Sequence, residues 1–414
     1  MENQNSYPIH QIRAEFPALN RQVNGITQIY LDGPSGTQVV RGCIQAMVNY
    51  MENGSANLGG KYQTSIESMD VIDDARQALG DFVGVSKDEI AIGPNMTSLT
   101  YMVSRALSQS WQAGDEIVVT ELDHRANVDP WIQAANDKNC TINWIKMDSE
   151  KLILDLSNLD EVITPKTKVV CIGHASNGVG TINDISTIAD AAKKVGAILV
   201  VDAVHSAPHL YIDFNQLKAD ILLASLYKFF GPHLGFVAIK KEIFDELKPY
   251  KLTTSPTTTP EKLETGTQNH EAIAGIVPAV DFFTNLGKGN TRREKIKSAF
   301  ELIEKYEDTL AEKIRVELSQ LPHVQLYQAD KTVRKTPTIA FRVKNISPSQ
   351  VCSFLAEKYG ICSGDGHFYA KTIGDRLDLN KDGGWVRIGL APYNTEEEVE
   401  IFLNAMKNIL VESK

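Results

Sequence analysis

Lys228 stands just past the end of an apolar run, in Ile221-Leu-Leu-Ala-Ser-Leu-Tyr-Lys-Phe-Phe-Gly-Pro-His-Leu-Gly235. Four apolar residues lead into Ser225, and the lysine follows three positions later among Tyr227, Phe229 and Phe230. In open α/β sheets, ligands bind where strand ends meet polar, glycine-rich loops. An amine held there among aromatics is partly desolvated, which disfavours the ammonium form and leaves a nucleophile near neutral pH. The chemistry such an amine can do is condensation with an aldehyde or ketone. A lysine that snorkels from a strand end beside ordinary core aromatics has the same local sequence.

A second run, Ala197-Ile-Leu-Val-Val-Asp-Ala-Val-His-Ser-Ala-Pro-His209, puts Asp202 at the end of another apolar strand, 26 positions before Lys228. That spacing fits neighbouring strand ends of one sheet. Pyridoxal phosphate needs such a pair: a lysine for its aldehyde, and an acid that keeps its ring nitrogen protonated so that the ring accepts electrons. In order and spacing, the Asp-x-x-His and Ser-x-x-Lys patterns resemble the class V fold-type I aminotransferase family. Within it they are most similar to the group that holds cysteine desulfurases and selenocysteine lyases. The resemblance runs through nearly the whole chain. It implies pyridoxal 5'-phosphate as cofactor, a small-molecule amino-acid substrate, and a homodimer with shared active sites.

Further motifs add to the site. Gly93-Pro-Asn-Met-Thr-Ser-Leu-Thr100 follows a strand and opens a helix, and free N–H groups at a helix start attract anions. Asn95 and Thr97 are also good helix caps in their own right. In the family this turn holds the cofactor phosphate, which implies contacts from Met96 and Thr97, with Ser225 on the facing strand end. His124, in Glu121-Leu-Asp-His-Arg-Ala-Asn-Val-Asp-Pro-Trp131, matches the family's ring-stacking histidine. Asn177, in His174-Ala-Ser-Asn-Gly-Val-Gly180, matches the asparagine that donates to the cofactor's ring oxygen. His205 stands where many members have a glutamine with the same duty. Glu264-Thr-Gly-Thr-Gln268 resembles the loop that reaches the partner subunit's phosphate, so Thr267 is expected to act across a dimer. Arg387, in Trp385-Val-Arg-Ile-Gly389, matches the arginine whose fork holds a substrate carboxylate.

The pattern departs from the desulfurases at one point. Those enzymes carry a mobile cysteine after a strand of the small domain. The corresponding run here is Gly360-Ile-Cys-Ser-Gly-Asp-Gly-His-Phe-Tyr-Ala370, with Tyr369 at the cysteine's position and Cys362 seven residues earlier, inside an apparent strand. His367 and Tyr369 are therefore expected to contact substrate, with Tyr369 joining Lys228, Asp202 and His124 as catalytic residues. Tyr227 also takes the place of a histidine that precedes the lysine in desulfurases.

The elements that must position these residues alternate. Seven strands are predicted near Glu89–Ile92, Glu116–Val119, Ile142–Ile145, Lys168–Ile172, Ala197–Val201, Ile221–Ala224 and Phe236–Ile239, with helices at 68–83, 97–108, 126–136 and 185–195 between them. Such alternation predicts an α/β fold with a mainly parallel sheet covered on both faces. The resemblance implies fold type I: a large cofactor domain over 21–290, a small C-terminal α+β domain over 291–414, and an N-terminal segment, 1–20, packed on the small domain.

At 414 residues and a net charge of −10, the chain has no Lys/Arg cluster that would suit nucleic acid, and no metal site is expected. Its five cysteines are scattered and lack C-x-x-C spacing, so they read as reduced thiols. No apolar leader and no stretch of roughly 18 apolar residues is seen, so a cytoplasmic location without membrane association is expected. The first functional reading is a pyridoxal-phosphate enzyme that breaks the Cβ–S bond of a cysteine-type substrate, as a C–S lyase without a persulfide. Transamination and epimerisation use the same lysine and acid and stay open. So does a non-catalytic regulatory protein that keeps the cofactor fold.

Overall fold

Each of the seven apolar runs forms a strand, and the seven make one sheet in the computed structural model, which describes residues 7–412. Residues 1–6 of the N-terminal segment, and 413 and 414, lie outside the described residues. The strands are β1 Ile90–Gly93, β2 Glu116–Thr120, β3 Thr141–Ile145, β4 Thr167–Gly173, β5 Ile198–Asp202, β6 Ile221–Ser225 and β7 Gly235–Ile239. Side chains alternate across the sheet with period two. Leu222 enters one apolar core while its neighbours Ile221 and Leu223 enter the other. With both faces covered, the strands read as continuous apolar runs and not as alternating ones.

The spatial order is β1-β7-β6-β5-β4-β2-β3. Only β7 is antiparallel to its neighbours; the other six strands run one way. The C-terminal ends of β4, β5 and β6 therefore lie side by side, with Asp202 opposite Gly173 on one flank and Leu223 on the other. Gly235 opens β7 at this edge. A Cβ there would sit 2.4 Å from the Asn95 backbone, so only glycine admits the turn that starts the next helix so close.

Helices cover both faces. α1, Gln63–Val83, buries Ile72, Ala75, Leu79 and Phe82 and stops at Gly84, whose φ of 84° makes a left-handed cap. α2, Met96–Leu107, is capped by the Asn95 side chain. The helix expected over 126–136 is broken: Arg125–Asn127 is a 3-10 turn, and α3 begins at Asp129. Pro130 explains the break, because it has no N–H to give and fits only a helix's first turn. α4, Ile185–Val195, returns the chain to β5.

Beyond α5, Ile276–Leu286, the 28-residue helix α6, Arg292–Ser319, joins two cores. Ile296, Phe300 and Ile303 pack into the first core, and Leu310, Ile314 and Leu318 into a separate one. That separate core underlies a four-stranded antiparallel sheet of β8 Val324–Tyr327, β9 Thr338–Val343, β10 Gly364–Gly366 and β11 Trp385–Gly389, in the order β8-β9-β11-β10. Helices α7, Pro348–Tyr359, and α8, Glu396–Glu412, pack on it. The chain's beginning also meets this region. Tyr7 stacks on Tyr306 at 3.7 Å, and Arg13 pairs with Glu398 at 2.8 Å. Among the described residues, no helix is long and apolar enough to cross a membrane.

Candidate active site

The β4–β6 edge opens into a cavity of about 580 Å³. Met96, Thr97, His124, Asn177, Asp202, His205, Ser225, Lys228, Tyr369 and Arg387 all line it. Lys228 follows β6 in a short 3-10 turn, with its Nζ 4.8 Å from the Tyr227 ring centre. Nζ donates to the Pro34 and Ser35 carbonyls at 2.5 and 3.0 Å. Burial pulls its pKa from 10.5 to about 7; Arg387 adds to the shift, while Asp202 and Asp32 oppose it. The amine is thus half neutral at ordinary pH, as a carbonyl-condensing lysine must be.

Asp202 ends β5, and its Oδ1 accepts from the Val204 N–H at 2.8 Å. Burial raises its carboxyl to about 6, with the Val204 N–H and Lys228 pulling the other way. His124 lies in the loop after β2, where Nδ1 accepts from the Ala126 N–H at 3.0 Å. Burial, with Lys228 and Arg387 adding, lowers its pKa to about 4, so the ring is neutral. Asp123 fixes that loop: it accepts from the Gly173 N–H at 2.9 Å and from Asn127 at 2.8 Å.

In the same lining, the first turn of α2 is partly satisfied. The Met96 N–H donates to Ser225 Oγ at 3.1 Å and the Ser98 N–H to Asn95 Oδ1 at 2.8 Å. The Thr97 N–H and hydroxyl have no partner among the described residues and face an anion-favouring helix end.

Arg387, on β11, is held in the wall through two of its five N–H donors. It donates to the Asn177 carbonyl at 2.7 Å and to Ser35 Oγ at 3.1 Å, and lies 3.9 Å over the Phe368 ring. Burial lowers its pKa to about 9, with Asp32 and Tyr227 opposing, and it stays charged at neutral pH. Tyr369 is 66% exposed at the cavity mouth, 5.3 Å from His124. His367 does not line the cavity; its Nδ1 accepts from the Tyr369 N–H at 3.1 Å. Thr267 is exposed and lies outside the lining.

Several lining residues were not singled out by motif: Pro34, Ser35, Tyr101, Arg125, Asp129 and Phe368. The turn-rich run Asp32-Gly-Pro-Ser-Gly-Thr37 after Tyr30-Leu31 was the available signal for the first two.

An amine and a carboxyl group at adjacent strand ends, a helix start in the same lining and a buried, unpaired Asn177 Oδ1 fit a phosphorylated pyridine aldehyde. Fold and site together thus define a fold-type I pyridoxal-phosphate protein. The family model for aminotransferase class-V matches residues 29–402. The chain is 32% identical to the aminotransferase-like protein FGM3 of Gibberella zeae, over 98% of this chain and 99% of that one. It is 28% identical to a cysteine desulfurase of an Enterobacter species, over 98% of each. The apo structure of a cysteine desulfurase from Thermococcus onnurineus superposes with a TM-score of 0.86, at 26% identity and 98% coverage of both chains. The chain belongs to the class-V aminotransferase family and is a pyridoxal-phosphate-dependent enzyme.

Proposed function

We propose that this enzyme is a C–S lyase: it cleaves the Cβ–S bond of a cysteine-type amino acid by elimination, without an enzyme persulfide. The observation that carries the reading is the absence of a thiol from the site. None of the five cysteines lines the cavity. Cys362 pairs in a strand with Tyr30, and burial raises its thiol to about 11. A thiol so protonated and so placed is a poor nucleophile.

The cofactor, when bound, supplies an electron-withdrawing pyridine ring. Asp202 would keep the ring nitrogen protonated, and Thr97, Met96 and Ser225 would hold the phosphate end. His124 would cover the ring face. Arg387 would hold the substrate carboxylate. Lys228 Nζ takes the proton from substrate Cα. The electron pair left at Cα then forms a Cα=Cβ bond as the Cβ–S bond breaks with its own pair leaving on sulfur, and Tyr369, at the cavity mouth, would return a proton to the departing thiolate.

The same reading includes a homodimer. Thr267 on an exposed loop supports it, as does the run of exposed apolar residues Ile44, Met51, Leu58, Tyr62, Ile66 and Met69. We further place the unit boundaries near residues 20 and 290, where α6 begins to bridge the two cores, and the protein in the cytoplasm.

The test compares a cysteine thioether with free cysteine as substrates. Thiol release from the thioether, retained in Cys362→Ser and reduced further in Tyr369→Phe, is the expected result. Persulfide labelling of Cys362 during cysteine turnover, lost in the serine variant, would falsify the lyase and return the desulfurase reading. Conversion of the cofactor to its amine form, or appearance of a D-amino acid, would instead mean transamination or epimerisation.

A further inference from the structure

His205 and Asn177 are the two side chains expected to donate to the cofactor's ring oxygen. Each has one nitrogen engaged elsewhere. Asn177 Nδ2 lies 2.8 Å from the Phe368 carbonyl oxygen. A carbonyl only accepts, so the atom facing it is the amide nitrogen, and Oδ1 is left buried without a partner.

His205 Nε2 lies 3.1 Å from Thr336 Oγ1 and 3.0 Å from Thr338 Oγ1, which enter from 131 and 133 positions away. The two hydroxyls are 3.1 Å apart, and Thr336 Oγ1 is 3.3 Å from the Gly180 carbonyl. If protons run from Nε2 to Thr338, on to Thr336 and then to Gly180, three of the four contacts each hold a proton, and the Nε2–H is shared with Thr336 in the fourth. An accepting Nε2 leaves either the Gly180 contact or the contact between the two hydroxyls without a proton, because each hydroxyl has only one to give and the carbonyl has none. Burial keeps the ring neutral, with His209, Arg387, Lys228 and His124 adding to the effect, so one nitrogen alone carries a proton. Nδ1 has no partner among the described residues, and the residue lines the cavity.

We infer that Thr336 and Thr338 are positioning residues that lock His205 as its Nε2–H tautomer. The cavity wall then presents an acceptor, His205 Nδ1, and a ligand ring hydroxyl that meets it keeps its own proton. The inference rests on the reading of this cavity as the pyridoxal-phosphate site. It reverses the polarity that a glutamine at position 205 would supply.

The experiment reads ring-15N-labelled histidine in cofactor-free protein, with His205 identified by its loss in His205→Gln. A bare Nδ1 and a protonated Nε2 are expected. A protonated Nδ1 overturns the inference. Thr338→Ser should keep the pattern. The Thr336→Val, Thr338→Val pair should mix the tautomers, and an unchanged tautomer there would show that the threonines do not set it. Should the paired variant not fold, Thr338→Val alone is read in the same way. Adding pyridoxal phosphate gives the second readout. Thr338→Val should weaken its binding by about 2- to 10-fold, the worth of one neutral hydrogen bond, and Thr338→Ser should restore it. Unchanged affinity in Thr338→Val counts against a positioning role. If pyridoxal phosphate does not bind at all, the cofactor reading falls, while the tautomer seen without cofactor is decided independently.

Discussion

At the scale of residues, burial sets the chemistry. Lys228 has an ordinary ammonium pKa of 10.5 that burial brings to about 7. Its neutral form therefore grows as pH rises through about 7. In cofactor-stripped protein, the rate of pyridoxal-phosphate loading should follow that curve, with an absorbance band that Lys228→Ala lacks. An inflection near 10, the value of a solvated lysine, would show that the amine is not desolvated. Arg387 makes a second residue-scale prediction. Its planar fork can give a carboxylate two parallel bonds, which a lysine cannot. Arg387→Lys should raise KM by roughly 10-fold or more, from a loss of about 1.5–3 kcal/mol, with the cofactor band kept. An unchanged KM would place Arg387 in the scaffold alone.

At the scale of elements, the segment before Lys371 behaves as a wall. Phe368 and Tyr369 both take left-handed backbone, with φ of 51° and 57°. Non-glycine residues hold that conformation only when their surroundings impose it. Two hydrogen bonds do so here: the Arg125 N–H donates to the Tyr369 carbonyl at 2.9 Å, and Asn177 Nδ2 to the Phe368 carbonyl at 2.8 Å. Removing one such bond costs about 1 kcal/mol, so Asn177→Ala should open the segment about five-fold more often. Hydrogen exchange across 367–370 measures this. Unchanged protection there would mean that other contacts hold the wall. A pinned segment suits a residue that positions or protonates substrate better than one that must swing.

At the scale of the whole molecule, the prediction concerns assembly. Thr267 is exposed and outside the lining of its own cavity, and its loop is anchored by Glu264, which pairs with Arg76 at 2.5 Å. The protein should sediment as a dimer. Mixing inactive Lys228→Ala and Thr267→Ala protomers should restore activity, because each mixed dimer then has one site with both residues intact. Failure of mixed dimers to recover activity would put Thr267 outside the partner's site.

What could be read from the chain alone follows from local physics. Strands buried on both faces are short continuous apolar runs, so the seven strands, and the helix Ile185–Val195 between turn signals, were legible within a residue or two. So was the gathering of Lys228 and Asp202, because the two successive apolar strands that lead to them end at one sheet edge; His124, His205 and Arg387 were placed by the family resemblance, and Arg387 comes from β11 of the other sheet. The helix expected over 126–136 was misread where Pro130 interrupts it. Tertiary structure decided the rest. The single reversed strand β7, the carbonyls of Pro34 and Ser35 against Lys228, and the threonine hydroxyls on His205 join residues far apart in sequence. Polarity was hidden for the same reason. An asparagine or neutral histidine can give or accept a hydrogen bond, and only the neighbours brought by the fold determine which side of it faces the cavity.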